Sequence, residues 1–145
     1  MTVLANVSPY LLQFDEVVVV RVSAYNFYGV SGTSPENTAG AKIRQKPDPM
    51  GIVTVTSKLQ TEISLSWTAL TGTATGNSAI LSYNLYWDNA LGTTNIEVID
   101  SLVTSHTLTG LVGGQNYLFK VRAKNIYDYG DFSSEVSVLA SDVPD

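Results

Sequence analysis

Apolar and polar positions alternate with a period of two through most of this chain, in short runs broken by turn residues. Such runs predict half-buried strands, because successive side chains of a strand point to opposite faces. Ile52-Val53-Thr54-Val55 is the first run of the longer stretch, followed by polar residues from Ser57 to Thr61. Ile63-Ser64-Leu65-Ser66-Trp67 then places Ile63, Leu65 and Trp67 on one face. A Gly/Thr/Ser-rich loop, Thr71 to Ser78, leads to a strand marked by Ile80, Tyr83, Leu85 and Trp87 and closed by the turn Asp88-Asn89. Ile96-Glu97-Val98-Ile99 and His106-Thr107-Leu108 are two more, and Gly113-Gly114 turns the chain into the run from Tyr117 to Ala123. Glu135-Val136-Ser137-Val138-Leu139 closes the series. Seven short strands at regular spacing, with no helical period, predict an all-β antiparallel sandwich.

One phrase of this pattern occurs twice. Arg21-Val22-Ser23-Ala24-Tyr25-Asn26 and Lys120-Val121-Arg122-Ala123-Lys124-Asn125 lie 99 positions apart, each followed by a turn of Tyr and Gly (Tyr28-Gly29; Tyr127 to Gly130). A period of about 100 residues is that of one small sandwich, so the chain reads as an array of similar units. About 20 residues precede the first copy, against roughly 70 in the repeat that carries the second. The expected organisation is therefore the last three strands of one sandwich in residues 1–46 and a whole sandwich in residues 47–145. Between them, Lys46-Pro47-Asp48-Pro49 fixes backbone angles and reads as a short, stiff linker. Val143-Pro144-Asp145 echoes Pro47-Asp48, so both ends are expected to be joints or cuts in a longer array.

The whole unit resembles a fibronectin type III domain, an immunoglobulin-like sandwich. The resemblance rests on Leu65-Ser66-Trp67, on Ile80 through Tyr83, Leu85 and Trp87, and on Leu108-Thr109-Gly110-Leu111 with Gly114 and Tyr117. It implies that Trp67 packs in the core and that Tyr117 makes a corner hydrogen bond pinning the loop before its strand. Tyr83, Leu85, Leu111 and Val121 are the other expected core residues. The first unit resembles the last three strands of the same family: Leu12 matches Leu111, Val22 and Ala24 match Val121 and Ala123, and Ala39 to Ile43 is the last strand. It departs at Val18, which sits where Tyr117 sits, so the corner bond is expected to be missing. The phrasing of Ser8-Pro9-Tyr10, Val22 to Gly29 and Ser34 to Gly40 is similar to tandem repeats of this type on large surface proteins of ciliates and other protists.

A half sandwich leaves an apolar inner face wet, either Val18, Val20, Val22 and Ala24 or their alternates Val17 and Val19. Apolar area is worth about 25 cal/mol per Å², so several hundred Å² of exposure is decisive against a stability of about 5–15 kcal/mol. Three coverings are open: strands from residues further upstream, strands from a neighbouring subunit, or packing of the segment onto the whole unit. The expected partners are accordingly other copies of this chain or adjacent repeats.

Composition narrows the function. The chain is 44% hydrophobic and 14% charged, enough apolar surface for a packed core. A net charge of −5 with 8 Lys+Arg lacks the electrostatic footprint of a nucleic-acid binder, and it makes attraction to anionic membranes improbable. With no cysteine there is no thiol or zinc-thiolate chemistry. Met1 to Asn6 has neither a basic region nor a continuous apolar region, so no signal peptide is read there. The longest apolar run, Val17 to Val20, is too short to span a bilayer, so no membrane insertion is expected.

Catalysis finds little to stand on, and no enzyme, cofactor or metal site is expected. His106 is the only histidine and reads as a solvent-facing strand residue. Asp128 and Asp131 sit among Tyr127, Tyr129 and Phe132 in the loop before the last strand. Paired carboxylates fit calcium or glycosidase chemistry; a polar turn with an aromatic packed over its own strand is the plainer alternative. Gly113-Gly114 enters a strand, which makes it a turn and not a phosphate cradle. Tyrosine and phenylalanine give large contact area at low entropy cost, so Tyr127, Tyr129 and Phe132, with Tyr25, Phe27 and Tyr28 in the first unit, are candidate partner-contact loops. No Arg-Gly-Asp sequence is present. Asn6-Val7-Ser8 is a glycosylation sequon compatible with a secreted route. The expectation is an extracellular or cell-surface structural or adhesion protein, a filament or array subunit. Its rivals are a receptor ectodomain fragment using the aromatic loops and a spacer of a carbohydrate-active enzyme.

Overall fold

In the computed structural model, which describes residues 12–37 and 39–141, the chain divides between Arg44 and Gln45 into two units. The division falls two residues before the expected boundary, and Gln45 and Lys46 belong with the second unit.

The first unit is a hairpin. β1 (Val17–Val18) pairs antiparallel with β4 (Ala41–Lys42), and β2 (Tyr25–Asn26) pairs with β3 (Gly29–Val30) at the tip. Between these short ladders the amides of Ser31, Ser34 and Asn37 donate to the carbonyls of Ala24, Val22 and Val20. The third strand expected here falls on residues 1–11, and the sequon at Asn6 lies with it, outside the described residues. Both faces of the hairpin are open: Val17 and Val19 on one side are about as exposed as Val20 and Val22 on the other.

In the second unit the alternation of apolar residues sorts seven strands into two sheets. β5 (Thr54–Lys58), β6 (Glu62–Ser66) and β9 (Ser105–Thr109) form one sheet in the order β5-β6-β9. β7 (Ser82–Trp87), β8 (Ile96–Ser101), β10 (Asn116–Lys124) and β11 (Val136–Leu139) form the other, in the order β11-β10-β7-β8. All pairings are antiparallel. The first strand starts later than the sequence suggests: Val53 is buried, Ile52 is exposed, and the ladder opens at Thr54 with a bulge between Val55 and Ser57.

The core lies between the sheets. Ile63, Leu65 and Leu108 face Tyr83, Leu85, Tyr117, Phe119, Val121 and Val138, with Trp67 and Leu111 at its margins, all buried. Burying each large apolar side chain contributes about 1.5–3 kcal/mol. β10 shows the logic most plainly, because Tyr117, Phe119, Val121 and Ala123 are buried while every residue between them is partly exposed. His106 corrects the sequence reading. It pairs opposite Leu65 and shares the parity of Leu108, so it stands half-buried on the core side of β9.

Two side chains hold the turns. The Tyr117 hydroxyl accepts a hydrogen bond from the Val112 amide at 2.9 Å, tying the preceding loop to β10. Asp88, only 2% exposed, accepts from the amides of Ala90 (3.1 Å), Gly92 (3.0 Å) and Leu118 (2.9 Å). That carboxylate supports Asn89 and Ala90, both in the left-handed region, and locks the turn to β10.

Candidate recognition and assembly surfaces

The last three outward side chains of β10, Lys120, Arg122 and Lys124, are cations, and the loop between β10 and β11 folds its rings over them. Phe132 lies between Lys120, whose Nζ is 4.7 Å from the ring centroid, and Arg122, whose Cζ is 4.6 Å away. Tyr129 lies between Arg122 at 3.9 Å and Lys124 at 4.6 Å. The order Lys120-Phe132-Arg122-Tyr129-Lys124 is thus a ladder of alternating charge and ring. Each step is worth about 0.5–2 kcal/mol according to how far it is desolvated. Tyr86 of β7 continues the surface, with its ring edge-on to Phe132 at 5.1 Å. Its hydroxyl donates to Glu97 at 3.0 Å and accepts from Arg122 at 3.3 Å. Burial, and next the hydrogen bond to Glu97, raise the Tyr86 pKa above its ordinary value.

At the loop end of this unit one residue joins three segments. Asn125, 1% exposed, accepts from the amides of Tyr127 (2.9 Å) and Asp128 (3.3 Å) through Oδ1. Its Nδ2 donates to the carbonyls of Gln45 (2.7 Å) and Thr75 (2.9 Å). Gln45 and Asp48 also donate backbone bonds to Gly76 and Ala74, around the 3-10 turn Gly72–Thr75. A Cβ on Gly76 would collide with the Gln45 and Lys46 carbonyls, and one on Gly130 would stand 2.7 Å from the Pro47 carbonyl. Lys46 pairs with Asp131 at 2.8 Å, and Pro47 is buried. The expected short, stiff linker is a strap, seated on the 3-10 turn and the β10–β11 loop.

The hairpin of the first unit repeats several hydrogen bonds of this loop. The amides of Ser31 and Ser34 donate to Ala24 and Val22 at 2.8 Å, as those of Gly130 and Ser133 do to Ala123 and Val121. The hydroxyl of Ser34 accepts from the Val22 amide at 3.0 Å, and that of Ser133 from Val121 at 3.1 Å. Arg21 pairs with Glu36 as Lys120 pairs with Glu135. Asn26 accepts from the Tyr28 amide at 2.9 Å, matching Asn125 and Tyr127. All these positions differ by 99. The surroundings differ: Val121 and Ala123 are 0% exposed, whereas Val22 is 68% exposed and Ala24 is open.

Residues 47–139 match the family model of the fibronectin type III domain, well over half of the chain. The chain belongs to the fibronectin type III family. Among curated proteins it is similar to human ephrin type-B receptor 6, 30% identical over 124 residues, which is 81% of this chain and 12% of that receptor. It is also similar to ephrin type-A receptor 5 of Gallus gallus, 27% identical over 145 residues, 91% of this chain and 14% of that one. The chain thus spans about a seventh or less of the length of these relatives. Among solved structures, domains A168–A170 of titin superpose with a TM-score of 0.62 at 21% identity, covering 92% of this chain and 44% of that one. The sixth fibronectin type III domain of human fibronectin type III domain containing protein 3 gives 0.60 at 21% identity, covering 75% and 96%. These last two likenesses speak for the fold alone.

Against this fibronectin type III frame, the residues singled out in the sequence separate. Trp67, Tyr83, Leu85, Leu111, Tyr117 and Val121 are buried. Tyr25, Phe27 and Tyr28 stand 81–94% exposed at the hairpin tip, and Tyr127 is 52% exposed. Tyr129 and Phe132 are partly exposed, with Arg122, Lys120 and Lys124 against their faces, the arrangement of an aromatic packed over its own strand. Asp128 and Asp131 do not come together as a metal site, since no group of three His, Cys, Asp or Glu that could hold an ion occurs among the described residues. Val20, Val22 and Ala24 are exposed and Val18 is half-buried. The sequence reading placed Asp88 in a turn and Asn125 at the end of the repeated phrase but gave neither side chain a role. Asn125 was within reach, since an asparagine ends both copies of the repeated phrase.

Proposed function

We propose that this chain is a non-catalytic structural or adhesion segment of a fibronectin type III array at or outside the cell surface. Units join head to tail, and strands of a neighbouring unit complete the hairpin of the first unit. One observation carries the reading. Between Val20 and Asn37 the hairpin reproduces hydrogen bonds of the β10–β11 loop at an offset of 99, although its β1–β4 ladder is shifted two residues from the β10–β11 register, and Val22 and Ala24 lie open where Val121 and Ala123 are sealed in a core. Val18, Val20, Val22 and Ala24 correspond to Tyr117, Phe119, Val121 and Ala123, so a covering partner supplies the opposite layer of a sandwich. A heterologous contact of this kind propagates, since each copy offers both an open hairpin and a complete unit.

Light scattering with electron microscopy of the purified chain tests this. The expected result is species of high mass with a regular repeat, lost in Val20→Asp while Trp67 and Trp87, both in the second unit, keep their fluorescence. A monomer at tens of micromolar, well above the range of a stable assembly, overturns the reading. It would favour a second one, a receptor segment recognising a ligand through Tyr25, Phe27 and Tyr28. The exposure of those rings and the similarity to ephrin receptors support that alternative.

A further inference from the structure

The tip of the first unit's hairpin holds an open concavity of about 310 Å³, lined by Ala24, Tyr25, Asn26, Tyr28, Val30 and Ser31 among others. At the matching place in the second unit the space is filled by backbone. There the Gln45 and Thr75 carbonyls accept from Asn125 Nδ2, and the Pro47 and Asp48 carbonyls lie against Gly130. Asn26 shares with Asn125 the bond from the amide two residues on, 2.9 Å in both, and its Nδ2 is left to donate to a carbonyl brought into this concavity. No acceptor for that Nδ2 is found among the described residues, and the side chain is exposed.

We propose that this concavity is a peptide site. It takes an extended, proline-containing strap of the Gln45–Asp48 type, belonging to another fibronectin type III unit, whose backbone carbonyl accepts from Asn26 Nδ2. The inference deepens the reading of the hairpin as completed by another unit, and rests on it. The fit is not identical to that in the second unit. Ser31 stands where Gly130 stands, and a Cβ at Gly130 would lie 2.7 Å from the Pro47 carbonyl. A strap on the first unit therefore rides further out at its proline, while its first carbonyl still reaches Asn26. Affinity comes from few groups on a flexible ligand, so a dissociation constant on the order of millimolar is expected for a free peptide.

The test is a titration of the full chain, labelled with ¹⁵N, with a synthetic peptide of residues 44–50. Saturable shifts are expected at the Asn26 side-chain amide and at the backbone amides of Tyr28, Val30 and Ser31. Tyr127 and Gly130 stay in place, because their groove is filled by a tethered strap at far higher effective concentration. Asn26→Asp keeps the acceptor for Tyr28 but replaces the donor with a carboxylate facing the peptide carbonyls, and it weakens binding by about tenfold or more. A peptide with alanine at the position of Pro47 leaves the protein untouched and also binds more weakly. Absence of these shifts at several millimolar peptide, or shifts indifferent to both changes, overturns the site. High-mass species without peptide shifts would leave assembly standing and remove the groove. Peptide shifts in a chain that stays monomeric would do the reverse.

Discussion

Asn125→Asp isolates one face of a single side chain. The replacement is nearly isosteric, so Oδ1 still accepts from Tyr127 and Asp128. What disappears is the pair of donors to Gln45 and Thr75, and a carboxylate oxygen now stands where Nδ2 met those carbonyls at 2.7 and 2.9 Å. The site is 1% exposed, so little water replaces the lost bonds. Two hydrogen bonds are worth about 1 kcal/mol each, and an uncompensated buried charge adds to the loss, giving about 3–5 kcal/mol. Urea unfolding followed by the fluorescence of Trp67 and Trp87 reads the second unit alone, because the chain has only these two tryptophans. With m of roughly 1–1.5 kcal/mol per molar urea, a loss of 3 kcal/mol lowers the midpoint by about 2–3 M. The deficit should shrink in acid, since protonating the new carboxyl removes the charge and restores one donor. Asn26→Asp, exposed and in the other unit, should leave this transition in place. A loss under about 0.5 kcal/mol at neutral pH would refute the strap as a stabilising contact.

Tyr117→Phe deletes the hydroxyl that accepts from Val112 and keeps the ring stacked on Trp87, so about 1 kcal/mol should be lost in the same urea assay. A neutral result would mean that water serves the Val112 amide equally well. Tyr86 should ionise above the ordinary tyrosine value of 10.0 in a spectrophotometric titration of the folded protein. A raised folded pKa means that its share of stability is full below the unfolded value and is lost as pH climbs through the folded one. Tyr86→Phe should therefore flatten the alkaline decline in stability, and an unchanged decline would assign it to other groups.

The strands were legible because alternation is a property of neighbours in sequence: a run such as Ile63-Ser64-Leu65-Ser66-Trp67 has to sort its side chains to two faces whatever lies opposite. The repeat was legible for the same reason, since Val22 and Val121 sit in phrases of the same period and length. Alternation says which residues share a face, but not what covers that face. The sequence left Tyr129 and Phe132 between a contact loop and aromatics packed over their own strand, and only the fold placed three cations of β10 against them. His106 read as solvent-facing until its pairing with Leu65 gave it the parity of the core. Asn125 and Asp88 were silent because their partners come from other segments, Gln45 lying 80 residues from Asn125 and Leu118 lying 30 from Asp88. The sequence by itself determined the all-β class, the repeat and most inward-facing residues of the second unit, all of which follow from local periodicity. Only the tertiary structure decided which polar groups meet, because burial makes a hydrogen bond obligatory and a folded chain chooses the partner by position in space.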